Sequence, residues 1–285
     1  MILNIFVLLV TIWLPNSTSI AEKYGAESTG IYFEQPDGKV FEKNADEIFH
    51  AASTMKVPVM MEVFKQIEAG KISLDQPVTV KNQFSSIMDG SPFSLNIEDD
   101  SDPDLYKEIG KQLPFENLLD RMINSSSNLA TNIIIEMVKA ENVQKLMQEI
   151  GAKDMTVLRG VEDQKAYDAG KNNRTSARSL AICYKAILDP KRFKESSSNA
   201  MIEILRSQHS QAGIGAGVKA KERGLKVASK DGWITEINHD SGIIEDEHGK
   251  RWIMVIMTRG VKEEKDGWKL IADLASEIWD HRETK

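Results

Sequence analysis

Ser53 and Lys56 stand three residues apart in Ala52-Ser53-Thr54-Met55-Lys56-Val57-Pro58, at the head of an apolar run over residues 57–63. If that run is helical, the hydroxyl lies at the helix mouth and the amine one turn along the same face. A hydroxyl beside an amine is the smallest set of groups that makes a serine nucleophile with its own base. Alone, the spacing equally describes a Ser at a helix N-terminus followed by a solvated Lys. Two further clusters later in the chain, Ser126-Ser127-Asn128 and Lys230-Asp231-Gly232, carry hydroxyl, amide and ammonium groups of the kind such a nucleophile would need.

These groups act together only if the intervening elements bring them to one place. Gly30-Ile31-Tyr32-Phe33-Glu34 and Val40-Phe41-Glu42 flank Pro36-Asp37-Gly38, which predicts a hairpin. Val57, Met60, Met61 and Phe64 then keep one helical face apolar, with Gly70 as the stop and Pro58 in the opening turns, where a missing N–H costs least. Residues 115–122 and 130–138 predict two helices with Ser126 and Asn128 in the turn between them. Residues 143–150 (stopped by Gly151), 176–188 and 199–206 predict three more. Past the Gly-rich stretch 213–217, residues 226–230 read as a strand ending at Lys230-Asp231-Gly232, and residues 240–244 as its neighbour. Residues 252–258 read as a strand buried on both faces. Leu270, Ile271, Leu274 and Ile278 mark one face of a closing helix. The economical packing is an α/β (α+β) fold: one antiparallel sheet built from both chain ends (22–50 and 207–285), with an all-helical part (51–206) inserted. The acidic run Glu98 to Asp104 lacks the mid-loop Gly and terminal Glu of a calcium loop, and reads as a solvated loop.

With 285 residues, 41% of them hydrophobic, the chain can bury a sizeable core. The formal net charge of -7 and the lack of a long Lys/Arg run argue against nucleic-acid binding. Residues 2–14 are apolar apart from Asn4 and Thr11, and end at Pro15; Ser19-Ile20-Ala21 follows with small residues. That is the layout of a secretory signal over residues 1–21, too short for a stable membrane span. The expected destination is the periplasm or the exterior. Cys183, the only cysteine, excludes an intramolecular disulfide and falls in an apolar run where a buried thiol is expected. The five His residues form no H-x-x-x-H or H-x-H pair, so no metal or other cofactor is expected. His239 beside Asp240 is expected to be structural, because adjacent strand residues point to opposite faces.

The ordered set Ser53-x-x-Lys56, Ser126-x-Asn128 and Lys230-x-Gly232 resembles the three motifs of the class A β-lactamases and the wider penicillin-recognising serine hydrolases. The resemblance covers nearly the whole chain after residue 21. It extends through Asn124 to Asn132 and through His239-Asp240-Ser241-Gly242-Ile243-Ile244. It implies Ser53 as nucleophile, Lys56 as its base and Ser126 as the proton carrier to the leaving nitrogen. Asn128 and Lys230 would bind substrate, and the backbone N–H groups of Ser53 and Trp233, just past Gly232, would form the oxyanion hole. The implied partner is a small β-lactam or peptide-like substrate, met by a monomer.

The departures from the pattern define the open half of the mechanism. The family's deacylating Glu lies on an Ω-shaped loop, here residues 159–177. Anchored on Arg159, the register puts Val161 at that position; anchored on Asn173-Arg174-Thr175, it puts Gly160 there. Glu162 is adjacent, and is either the catalytic base or an ion-pair partner of Arg159 or Lys165. Asp231 replaces the usual Thr, and its charge is expected to repel a substrate carboxylate. Ser127 replaces an Asp and is expected to affect local packing. The reading is an exported serine hydrolase, most simply a class A-like β-lactamase. Two alternatives stand beside it: a peptidase or esterase using the same pair, and a receptor that is acylated by penicillin and barely deacylated.

Overall fold

The computed structural model describes residues 16–282. α1 (Ser17–Lys23) leads into the hairpin β1 (Ser28–Glu34) and β2 (Val40–Lys43). β3 (Phe49–His50) ends at a 3-10 turn, Ala52–Met55, which runs into α2 (Lys56–Glu68). Short strands β4 (Pro77–Thr79), β5 (Phe84–Ser85), β6 (Pro92–Phe93) and β7 (Gln112–Pro114) precede the helices α3 (Phe115–Asn124), α4 (Asn128–Val138) and α5 (Ala140–Ile150). Next come α6 (Gln164–Asp168), β8 (Arg174–Thr175), α7 (Ala177–Leu188), α8 (Glu195–Arg206) and α9 (Ile214–Gly217). β9 (Lys226–Ile234), β10 (Ile237–Glu245), β11 (Arg251–Arg259) and α10 (Glu264–His281) close the chain.

The main sheet has five strands in the order β2-β1-β11-β10-β9, with antiparallel pairing throughout. Both chain ends therefore build it, as the residue pattern predicts. Side-chain alternation splits its two faces. Ile31, Phe33, Met254 and Ile256 join Leu270, Ile271 and Leu274 of α10 in one core, while Tyr32, Ile253, Val255 and Met257 join the core beneath the helices. That two-sided burial is why residues 252–258 read as unbroken apolar sequence. β9 runs on to Ile234, so Lys230-Asp231-Gly232 lies inside a strand rather than at its end. It is also an edge strand, with one row of backbone groups free of any neighbouring strand.

The apolar segment 2–14 lies outside the described residues. Ser19-Ile20-Ala21 is part of α1, which packs on α10 with Ala21 buried and Lys23 paired to Asp273.

The acidic run departs from expectation. Asp100 and Asp102 are buried, not solvated. Asp100 accepts the backbone N–H groups of Asn128 (3.1 Å) and Leu129 (2.8 Å), capping α4 from a distant segment, and it also accepts the Tyr106 hydroxyl (3.1 Å). Asp102 takes both its bonds, at 2.8 and 2.9 Å, from the guanidinium of Arg121 on α3. Ser127 supplies the local cap, accepting from the Ala130 N–H at 3.2 Å. Composition alone made the run look like a loop. Two of its carboxylates, Asp100 and Asp102, are instead the partners of a helix terminus and a half-buried Arg, and no local pattern carries that. Replacing Asp100 with Ala should lower the unfolding free energy by about 1–2 kcal/mol, the usual worth of a helix cap; a urea titration monitored by far-UV circular dichroism measures it.

Candidate active site

The nucleophile turn is held from both sides. Ala51 N–H donates to the Asn173 carbonyl (2.9 Å), and Ala52 N–H donates to His50 Nδ1 (3.0 Å). His239, buried and kept neutral with its pKa pushed down to about 4 by desolvation, places Nε2 2.9 Å from the His50 carbonyl. It is a structural residue, and what it positions is the end of β3, from which the turn carrying Ser53 leads on. Ala52 itself has φ 45°, an unfavourable backbone for a residue with a Cβ, tolerated where its surroundings over-determine it. Ser53 follows, half-buried and, among the described residues, without a hydrogen-bond partner for its hydroxyl.

Lys56 is fully enclosed. Its Nζ donates to the Ser126 carbonyl (2.7 Å), to Ser126 Oγ (3.1 Å) and to Asn128 Oδ1 (3.1 Å). Three acceptors match the three N–H bonds of an ammonium. Burial nevertheless brings its pKa down to about 7, with the nearby Lys230 charge as the second cause and Asp100, Asp231 and Glu162 pulling the other way. At neutral pH the amine is thus shared between its two forms. The free base keeps two donors and gains a lone pair, into which a hydroxyl can deliver a proton.

β9 reaches the nucleophile at Gly232. A Cβ there would lie 2.7 Å from Ser53 N and 2.9 Å from Thr54 N, so only glycine lets the strand come this close. Asp231 N–H points off the sheet edge, donating to Gln208 Oε1 at 2.8 Å. Backbone N–H groups two residues apart in a strand point the same way, so Trp233 N–H leaves β9 on the same side as that of Asp231. Lys230 is also fully buried, with Nζ 2.7 Å from Asp231 Oδ1 and 3.4 Å from Gln208 Oε1.

Glu162 stands in the same cleft. Its Oε1 accepts from Asn128 Nδ2 (2.8 Å) and its Oε2 from Asn96 N–H (3.4 Å). Neither ion pair considered for it forms: Arg159 is spent on Lys171, Gly160 and Asn172, and Lys165 pairs with Asp89. Desolvation is the main cause that raises the Glu162 pKa, opposed by the Asn128 and Asn96 bonds. The loop is fixed at defined points. Asn132 on α4 accepts Val161 N–H (2.6 Å) and donates to Val161 O (3.0 Å); Gly160 has no room for a Cβ, which would fall 2.0 Å from Asn132 Oδ1. Asn173 closes the neck by bonding Leu158 and Arg159, and Asp163 ties the loop to Ser86 and Ile87. The positive φ of Glu162, 61°, turns its side chain out of the loop's ordinary course.

Ser53 sits where two cavities meet. One, about 350 Å³, is bounded by His50, Tyr167, Glu162 and Trp233; the other, about 830 Å³, by Ser126, Asn128, Asp231 and Glu264. Ser53, Ser126, Asn128, Glu162, Asp231, Gly232 and Trp233 line these cavities, with Lys56 and Lys230 enclosed behind their walls. Asp100, Gln208 and His239 were not foreseen as parts of the site, because each acts through a contact across more than twenty residues of chain, and the local bond of His50 to Ala52 was missed as well. Among the described residues no group of three or more His, Cys, Asp or Glu is placed to hold a metal ion.

A turn carrying Ser53 that enters a helix, an edge strand against it and a helical part over one face are the arrangement of the β-lactamase/transpeptidase fold. The Beta-lactamase enzyme family model matches residues 16–282, and the chain belongs to that family. Among solved structures, a β-lactamase from Sphaerobacter thermophilus is 24% identical, with 93% of this chain and 95% of that chain covered and a TM-score of 0.77. PBP-A is 23% identical, with coverage of 94% and 96% and a TM-score of 0.77. A β-lactamase from Xanthomonas campestris is 16% identical, with coverage of 93% and 95% and a TM-score of 0.79. No curated protein sequence matches the chain.

If Lys56 is the base for Ser53, acylation should climb about tenfold per pH unit below the Lys56 pKa of about 7 and level off above it. Lys56→Arg, which cannot deprotonate in this range, should abolish that limb. Stopped-flow acylation rates from pH 5 to pH 9 check both.

Proposed function

We propose that the protein is an exported serine hydrolase that acts through an acyl-enzyme on Ser53, with class A-like hydrolysis of a β-lactam amide as its activity. The observation that carries this is the enclosed Lys56 amine, near neutrality and 3.1 Å from Ser126 Oγ, at the base of the turn that presents Ser53. Lys56 takes the Ser53 proton as Oγ attacks the carbonyl carbon. The developing oxyanion is met by the N–H groups of Ser53 and Trp233. Ser126, bonded to Lys56, hands the proton to the leaving nitrogen, and the C–N bond breaks. Asn128 holds the substrate beside that centre, while Lys230, enclosed behind Asp231, acts through its charge on Lys56 instead of binding substrate as the resemblance implies. Glu162 then draws a proton from water, which attacks the acyl ester and frees Ser53. Its raised pKa and its bond to Asn128 suit a carboxylate kept inside the cleft for this second step.

The slowly deacylating alternative keeps one supporting observation: Glu162 has both carboxylate oxygens in hydrogen bonds and reaches the cleft only through a positive φ. A solved relative of similar fold, a PBP-A mutant, is an acyl-enzyme complex with penicillin G.

Export is part of the same proposal. Among the described residues no helix is long and apolar enough to cross a membrane. Because α1 is packed on α10 with Ala21 in the core, we place the end of the leader ahead of Asn16 rather than after Ala21.

Mass spectrometry after mixing with penicillin G should show an adduct on Ser53 that disappears as product accumulates, and none on the Ser53→Ala variant. A persistent adduct would establish the receptor reading instead, and no adduct would refute both. Glu162→Gln should slow deacylation by roughly 10²–10⁴-fold, the usual worth of a general base, and leave acylation intact; unchanged turnover would remove Glu162 from the mechanism.

A further inference from the structure

The charge of the larger cavity is one-sided. Its lining includes the carboxylates of Glu98, Asp99, Glu162, Asp231 and Glu264 and no Lys or Arg side chain, with His209 as its only imidazole. Lys230 does not compensate. Its side chain has no exposed surface, while that of Asp231 keeps 13%, so the part of the pair that looks into the cavity is the carboxylate. The ammonium is turned back onto Asp231 and Gln208, away from any anion a substrate would bring. Trp268 lines the same cavity as Asp231, one helical turn from Glu264 on α10, with its Nε1 donating to Glu264 at 3.0 Å. An aromatic ring among carboxylates in one cavity favours a cation over an anion there.

We propose that the Ser53 cleft selects acyl compounds whose leaving group carries a positive charge, with that charge seated among Asp231, Glu264 and the Trp268 ring. The proposal rests on the reading that Ser53 is acylated and narrows it: a β-lactam such as penicillin G, whose leaving side carries a carboxylate, is turned over more slowly than a cationic counterpart. The reaction balances without any further reagent. The Ser53 Oγ–acyl carbon bond forms, the bond from that carbon to the leaving heteroatom breaks, the Ser53 proton ends on the leaving group, and water later restores the hydroxyl. A carboxylate at the same position would be held against Asp231 in a walled cleft where solvent screens little. Asp231 and Glu264 are then specificity residues for the reaction that Ser53 and Lys56 carry out.

A matched series of thioesters tests this: one phenylacetylglycyl acyl group on thiocholine, on its neutral tert-butyl isostere 3,3-dimethylbutanethiol, and on mercaptopropionate. The expected order of kcat/KM is cationic above neutral above anionic, with about tenfold or more between the ends at low salt and a smaller gap at 0.5 M NaCl, about where screening is strong. Asp231→Thr should narrow or reverse the order by raising the anionic member. Glu264→Gln, at an exposed position, should narrow it by lowering the cationic one, and serves alone if Asp231→Thr does not fold. An anionic member as good as the cationic one in the native protein, or a cationic preference untouched by Glu264→Gln and by any folded Asp231→Thr, overturns the proposal while leaving Ser53 acylation standing. Turnover of no member above the Ser53→Ala background, with no Ser53 adduct by mass spectrometry, overturns both together.

Discussion

An ammonium taken out of water costs several kcal/mol unless its surroundings replace what water supplied, and the Lys56 side chain is wholly enclosed with a second buried ammonium close by. The rest of the site answers that constraint. The turn between α3 and α4 lends a carbonyl and a hydroxyl from Ser126 and an amide oxygen from Asn128. Asp100 fixes the start of α4, so those acceptors stay where the amine needs them, and its charge partly offsets the penalty. The result is an amine balanced between two protonation states. A more exposed Lys would stay charged, and a Lys buried without these acceptors would not hold its place.

The second constraint is the close approach of two backbones. The edge strand β9 touches the nucleophile turn through Gly232, and the turn is fixed in turn by Asn173, His50 and His239. Edge strands ordinarily invite pairing with another chain. Here the outward N–H of Asp231 is taken by Gln208, which covers part of that edge.

The loop carrying Glu162 shows how a side chain can reach a site without matching a motif register. Its course is set by Asn132, Asn173 and Asp163 through backbone contacts, and the positive φ at Glu162 directs the carboxylate to Asn128. Counting from either anchor misses it by one or two residues, because counting assumes the backbone conformation is unchanged. Asp231 works differently: it leaves the strand intact and puts a negative charge where the resemblance leads one to expect a neutral hydroxyl.

Much was legible in the residues alone. The turn holding Ser126 follows from two amphipathic runs around a polar one, and the two-ended sheet from apolar periodicity at both ends of the chain; Ser53 and Lys56 stand out by type and spacing, and their roles are implied by the family resemblance. Those features are local, and a period of two or of three to four residues needs no knowledge of the partner surface. The buried roles of Asp100 and Asp102, the bond from Gln208 to β9 and the placement of Glu162 were decided only by tertiary structure. Each depends on which distant groups a polar side chain meets once it leaves water. An acidic residue written in a sequence is solvated or buried, cap or base, according to the donors that packing brings within about 3 Å of it.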